Sequence, residues 1–79
     1  MKAKIHVTLK AGVLDPQGQA IQGTLDHMGF KGVGLVKVGK YIELELAETN
    51  RDAAQKAVEQ MCEKLLANTV VEKYKIELE

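Results

Sequence analysis

Few side chains in this sequence could do chemistry, and they are scattered. There are two histidines, His6 and His27, and one cysteine, Cys62. A bound metal needs three or four ligands that converge, yet neither histidine has a carboxylate or thiol at ligand spacing, and no Cys-x-x-Cys occurs. Cys62 lies among apolar residues with no histidine nearby in sequence, the setting of a packed thiol rather than a nucleophile. Gly29, Gly32 and Gly34 complete neither a dinucleotide fingerprint nor a P-loop. Glu43, Glu45, Glu48 and Glu59 have no partner across a cleft and read as solvated faces. Arg51, the sole arginine, is far along the chain from the first loop, where an acyl-phosphate hydrolase would need one. Phe30, Tyr41 and Tyr74 form no stacking pair for RNA. Asp15-Pro16-Gln17-Gly18 opens a helix whose first amides could hold an anion, but Asp15 as the N-cap fills that place and repels phosphate. The expectation is no catalytic residue, no metal ligand and no cofactor site.

Composition bounds what such residues could belong to. The chain has 79 residues, 46% hydrophobic and 28% charged, which excludes disorder and predicts one domain over residues 1–79. A chain this size buries only about 60% of its unfolded surface, enough for a core but not for a deep substrate cavity as well. The net charge is zero, against a binder that neutralises nucleic-acid phosphates. The balance is uneven: residues 1–40 hold six lysines and two acids, net +4, and residues 41–79 hold five bases and nine acids, net −4. A single cysteine fits a reducing compartment. There is no apolar run of the roughly 18 residues that a membrane span needs, and Met1-Lys2-Ala3-Lys4 leads into a strand pattern without a signal-peptide core. The reading is cytoplasmic.

The elements that must position these residues follow from periodicity. Ile5, Val7 and Leu9 alternate with Lys4, His6, Thr8 and Lys10, a half-buried strand. Asp15-Pro16 starts a helix with Asp as cap and Pro at its first position. Ala20, Ile21, Leu25 and Met28 share one face, and Gly29 stops the helix. Gly18 and Gly23 inside it cost about 1 kcal/mol each relative to Ala, so they mark close packing or a loose helix. Val33–Val38 reads as a second strand, apolar on both faces, and Gly39-Lys40 as a tight turn into a third strand, Tyr41–Leu46. The outer face of the first strand is basic and that of the third acidic, so pairing them would neutralise the charge split. Thr49 and Asn50 are cap candidates for a second helix. Its stripe is Ala54, Val58, Met61 and Leu65, widened by Ala53, Ala57, Cys62 and Leu66, with Met61 and Leu65 expected in the core. Asn68 ends it, and Val70–Leu78 is the last strand. The order βαββαβ gives an α+β fold, a ferredoxin-like-related antiparallel sheet with two helices on one face. The other sheet face and at least one strand edge stay open in a lone chain, and the doubly apolar strand with the wide-striped second helix points to completion by self-association.

Three segments carry a resemblance: Leu-Lys-Ala-Gly-Val-Leu-Asp-Pro-Gln-Gly (Leu9–Gly18), Val-Gly-Lys-Tyr-Ile-Glu-Leu (Val38–Leu44) and Met-Cys-Glu-Lys-Leu-Leu-Ala-Asn-Thr-Val-Val (Met61–Val71). Over its whole length the chain resembles the PurS family, small subunits of phosphoribosylformylglycinamidine (FGAM) synthase. Thr69 stands where that family often has proline. The resemblance implies a non-catalytic assembly subunit in de novo purine biosynthesis. It would associate with itself and join the glutaminase subunit (PurQ) to the large ATP-dependent synthetase subunit (PurL), helping ammonia pass between them. The complex would use ATP, Mg²⁺ and glutamine, none bound by this chain. It implies interface roles for Asp15, Pro16, Gln17 and Gly18 as a rigid capped loop, for Gly39, Lys40 and Tyr41 at a hairpin tip and sheet edge, and for Cys62 and Leu66 between protomers. The alternative is a small-molecule-sensing βαββαβ regulatory module, distinguished by ligand-induced thermal shift.

Overall fold

The alternating segment at the N-terminus becomes the centre of the sheet. The computed structural model describes residues 1–79, with strand β1 (Lys2–Leu9), helix α1 (Pro16–His27), strand β2 (Lys40–Glu45), helix α2 (Arg51–Met61) and strand β3 (Glu72–Leu78). The three strands form an antiparallel sheet in the order β2-β1-β3. Ala3, Ile5 and Val7 of β1 are buried on one face with Ala54 and Val58 of α2, Cys62 and Ala67. Ile42 and Leu44 of β2 and Tyr74, Ile76 and Leu78 of β3 pack around them.

The α+β class, the antiparallel sheet and the two helices stand as the periodicity predicted. The cross-strand neutralisation is also there: Lys4 sits opposite Glu43 on one side and Glu77 on the other. Lys2 reaches Glu43 at 3.6 Å, and Lys4 pairs with Glu79.

The expected hairpin is not. Residues 33–39 run without a turn or bend into β2. Gly39 and Lys40 therefore do not form a tip; they lie within one long extended segment. Its second half pairs with β1 from Lys40 onward. Its first half, Val33–Val38, overhangs the end of β1 with no ladder partner. The helices differ from expectation as well. Only α2 covers the sheet. Helix α1 stands off at one end and buries only Gly18.

The helix ends follow the predicted signals. The Asp15 side chain accepts from the Gly18 amide at 2.9 Å, and Asn50, not Thr49, caps α2 by accepting from Ala53 at 3.0 Å. Gly29, at φ +98°, closes α1: its amide donates to Asp26 and the Phe30 amide donates to Leu25, a Schellman motif that needs the left-handed residue.

After Met61 the helix widens into one π turn, Cys62–Leu66, closed by the Ala67 amide donating to the Cys62 carbonyl at 3.0 Å. Ala54, Val58 and Cys62 are spaced by four residues, and each such step overshoots a full α turn by about 40°. The wider turn takes up that drift and keeps Leu66 and Ala67 toward the core. It also turns Leu65 outward, to 81% exposure, where the sequence pattern had put it inside. Met61 is exposed too.

The chain is long for its mass. Its radius of gyration is 16.1 Å, with extents of 49 × 24 × 15 Å, where a compact chain of this length has about 12 Å. Its surface is 5614 Å², against about 4,700 Å² for a compact monomer. No helix is long and apolar enough to cross a membrane.

Candidate subunit interface

The loop and the extended segment that the sequence singled out separately are held together by one carboxylate. Asp15 is 9% exposed. One of its oxygens caps α1 through Gly18, and the other accepts from the Val38 amide at 2.8 Å. These two amides, Val38 the stronger influence, hold the Asp15 pKa below its ordinary carboxylate value because they bond the charged form.

Two glycines make the approach possible. A Cβ on Gly18 would collide with the carbonyl oxygen of Val36, and one on Gly39 would lie 2.6 Å from the carbonyl oxygen of Val7. Gly18 thus lets the overhang lie along the first turn of α1, and Gly39 lets β2 pass close over β1. Pro16 occupies the first turn of the helix, and Gln17 is exposed beside it. An open groove of about 360 Å³ runs between the end of β1, the 11–15 loop and the overhang, lined by Leu9, Val13, Leu14, Leu35 and Lys37.

The overhang offers a strand edge. Residues 34–37 make no backbone–backbone hydrogen bond. Leu35 is 76% exposed, and Val33, Phe30, Met28 and Ile21 on and beside α1 are exposed as well. Unpaired amides beside exposed aliphatic side chains are a template for another strand.

The remaining predicted positions are distributed otherwise. Lys40 is exposed, its ammonium 4.0 Å from Glu72. Tyr41 lies on the open sheet face, donating to Glu43 at 2.8 Å, with its ring 4.9 Å from that of His6. Cys62 is fully buried within the core and offers no surface to a second chain. Burial, then Glu63 and Glu59, push its thiol pKa up, the opposite of a reactive cysteine. Leu66 is half-buried against the same core. No three His, Cys, Asp or Glu side chains are grouped to hold a metal. The sequence pattern put Leu65 inside, and it is exposed; Leu14 and Val70, also exposed, had been given no role. The exposure of Leu35 agrees with the apolar residues on both faces of its segment.

A family model described as PurS, phosphoribosylformylglycinamidine (FGAM) synthase, matches residues 2–79. The chain belongs to the PurS family. It is 50% identical over 78 residues to the phosphoribosylformylglycinamidine synthase subunit PurS of Bacillus subtilis (strain 168), covering 99% of this chain and 92% of that one. The PurS subunit of Methanocaldococcus jannaschii is 41% identical, covering 99% and 94%. Among solved structures, a C2 crystal form of Bacillus subtilis PurS superposes with a TM-score of 0.90 at 50% identity, over 99% of this chain and 96% of that one. A chain in the structure of PurLQS from Thermotoga maritima superposes with a TM-score of 0.86 at 36% identity, over 96% and 93%. PurS relatives therefore share this fold end to end.

Proposed function

We propose that this chain is the non-catalytic assembly subunit of FGAM synthase in de novo purine biosynthesis. It joins the glutaminase subunit to the ATP-dependent synthetase subunit and helps ammonia pass from one to the other. It also associates with itself, as a homodimer or higher. In this reading ATP, Mg²⁺ and glutamine are used by the complex and not held by this chain, and its place is the cytoplasm.

The observation that carries the reading is the overhang: an extended strand with unpaired backbone, locked in position by Asp15 and flanked by exposed aliphatic residues on a chain about 4 Å larger in radius than a compact one. Such a surface suits a protein whose work is to be covered by others. Asp15, Pro16, Gln17 and Gly18 fit that role by fixing where the overhang points, and Gly39, Lys40 and Tyr41 by carrying it into the sheet edge. The sensing-module alternative has no specific observation in its favour.

The test is reconstitution of the synthetase and glutaminase subunits with and without this chain, comparing glutamine-driven with ammonia-driven product formation. Glutamine-driven synthesis should depend on the chain, and ammonia-driven synthesis should depend on it less. Equal rates with and without it would overturn the proposal.

A further inference from the structure

The sheet face away from α2 is covered by no helix, and its charges are sorted along the strands. The register places Glu45 beside Lys2, then Glu43–Lys4–Glu77, then Tyr41–His6–Lys75, then Thr8–Lys73. At the acidic end both lysines, Lys2 and Lys4, are paired to a carboxylate. At the other end the carboxylates are too few. Lys75 and His6 share one carboxylate, Glu77, each at 3.8 Å, and Lys73 makes no ion pair. Thr8, His6, Lys73 and Lys75 line a shallow open concavity between β1 and β3. No large aliphatic side chain lies on this face, so association here is electrostatic.

We propose that this basic end of the open sheet face is a docking surface for an acidic segment of a partner subunit. The proposal rests on the assembly reading above and names a second contact, separate from the overhang. The spacing of the cations favours a protein segment over a small anion. Lys73 and Lys75 are spread along one strand, and the backbone amides of β1, paired with β2 on one side and β3 on the other, are engaged in the ladder, so no cluster of donors converges on a single phosphate. Carboxylates at successive positions of a partner would match successive lysines and replace the absent counter-charges of the face.

Opposite charges brought together this way speed association, and salt screens the effect. The test is Lys73→Glu/Lys75→Glu in the full chain. Binding to the synthetase subunit and to the glutaminase subunit is followed by stopped-flow at about 50 mM and about 300 mM salt, on either side of the range where screening becomes strong. The double variant should associate with one of them roughly tenfold more slowly at low salt and with a flattened salt dependence, while its far-UV circular dichroism matches the parent. Glu45→Lys, at the acidic end of the same face, should leave the rate near the parent value. Unchanged association of a folded double variant with both partners overturns the inference and leaves the assembly reading standing. Failure of the unmodified chain to bind either partner overturns both. A thermal shift produced by millimolar inorganic phosphate and abolished in the double variant would assign the site to a small anion and overturn the docking role.

Discussion

At Asp15 one carboxylate oxygen closes the first turn of α1 and the other fixes a backbone amide 23 residues away. Sequence showed the first contact, because an N-cap is read from the residue and its neighbours. The second was invisible, since nothing local announces a distant partner. Asp15→Asn separates the two roles. Asparagine still caps a helix but presents only one acceptor oxygen, so α1 should persist by circular dichroism while the Val38 amide exchanges with solvent faster. The lowered pKa sets the pH dependence. Stability from the charged carboxylate is complete above its unfolded-state pKa and is lost as pH falls through the lower folded value, that is, below about pH 4. The acid limb of a pH–stability curve should flatten in Asp15→Asn. Tyr74 gives the mirror case. Its hydroxyl donates to Glu63 at 2.9 Å, and that bond, then burial, pushes its pKa up to about 12. Stability from the neutral phenol is full below the unfolded value near 10 and is lost as pH rises toward the folded one. Ultraviolet titration of Glu63→Gln should bring the Tyr74 transition back toward 10.

Among the elements, α1 and α2 were legible in pattern and cap, but what they pack against was not. The two glycines inside α1 looked alike in sequence and differ in the fold. Gly18 faces the Val36 carbonyl, whereas nothing lies within 4 Å of a Cβ on Gly23. Gly18→Ala should dislodge the overhang and lower Tm, by about 5 °C or more if the helix cap is lost with it. Gly23→Ala should instead stabilise by about 1 kcal/mol, because alanine loses less chain entropy in a helix. Thermal melts of the pair check both signs; equal effects would remove the distinction. In α2 the four-residue spacing Ala54–Val58–Cys62–Leu66 was present in the sequence beside the Met61–Leu65 stripe. The π turn chose between them. That choice depends on filling the space against β1, and periodicity within one helix does not contain it.

For the whole molecule the overhang is the feature with the largest consequence. Leu35 touches the groove but keeps most of its surface free, so Leu35→Asp should leave the fold intact and reduce self-association. The measurement is molar mass by light scattering alongside a thermal melt, and an unchanged mass with unchanged Tm would mean that the overhang is not where copies meet. Leu66→Asp behaves differently. It places a charge against the chain's own core, and lowered stability should precede any change in mass.

The sequence by itself determined the α+β class, the alternation that puts Ile5 and Val7 inside, both helix starts, the Gly29 stop and the neutralisation of a basic strand by acidic ones. Each depends on period, on a cap or on turn chemistry within a few residues. Tertiary structure decided that Gly39-Lys40 runs straight, that α1 leaves the sheet and that Leu65 faces out. Gly39-Lys40 can turn or extend on local grounds; the Asp15 carboxylate and the close passage over Val7 select extension. Interactions between residues far apart in the chain have no local signature, and here they place the overhang on which the proposed assembly role of this PurS-family chain rests.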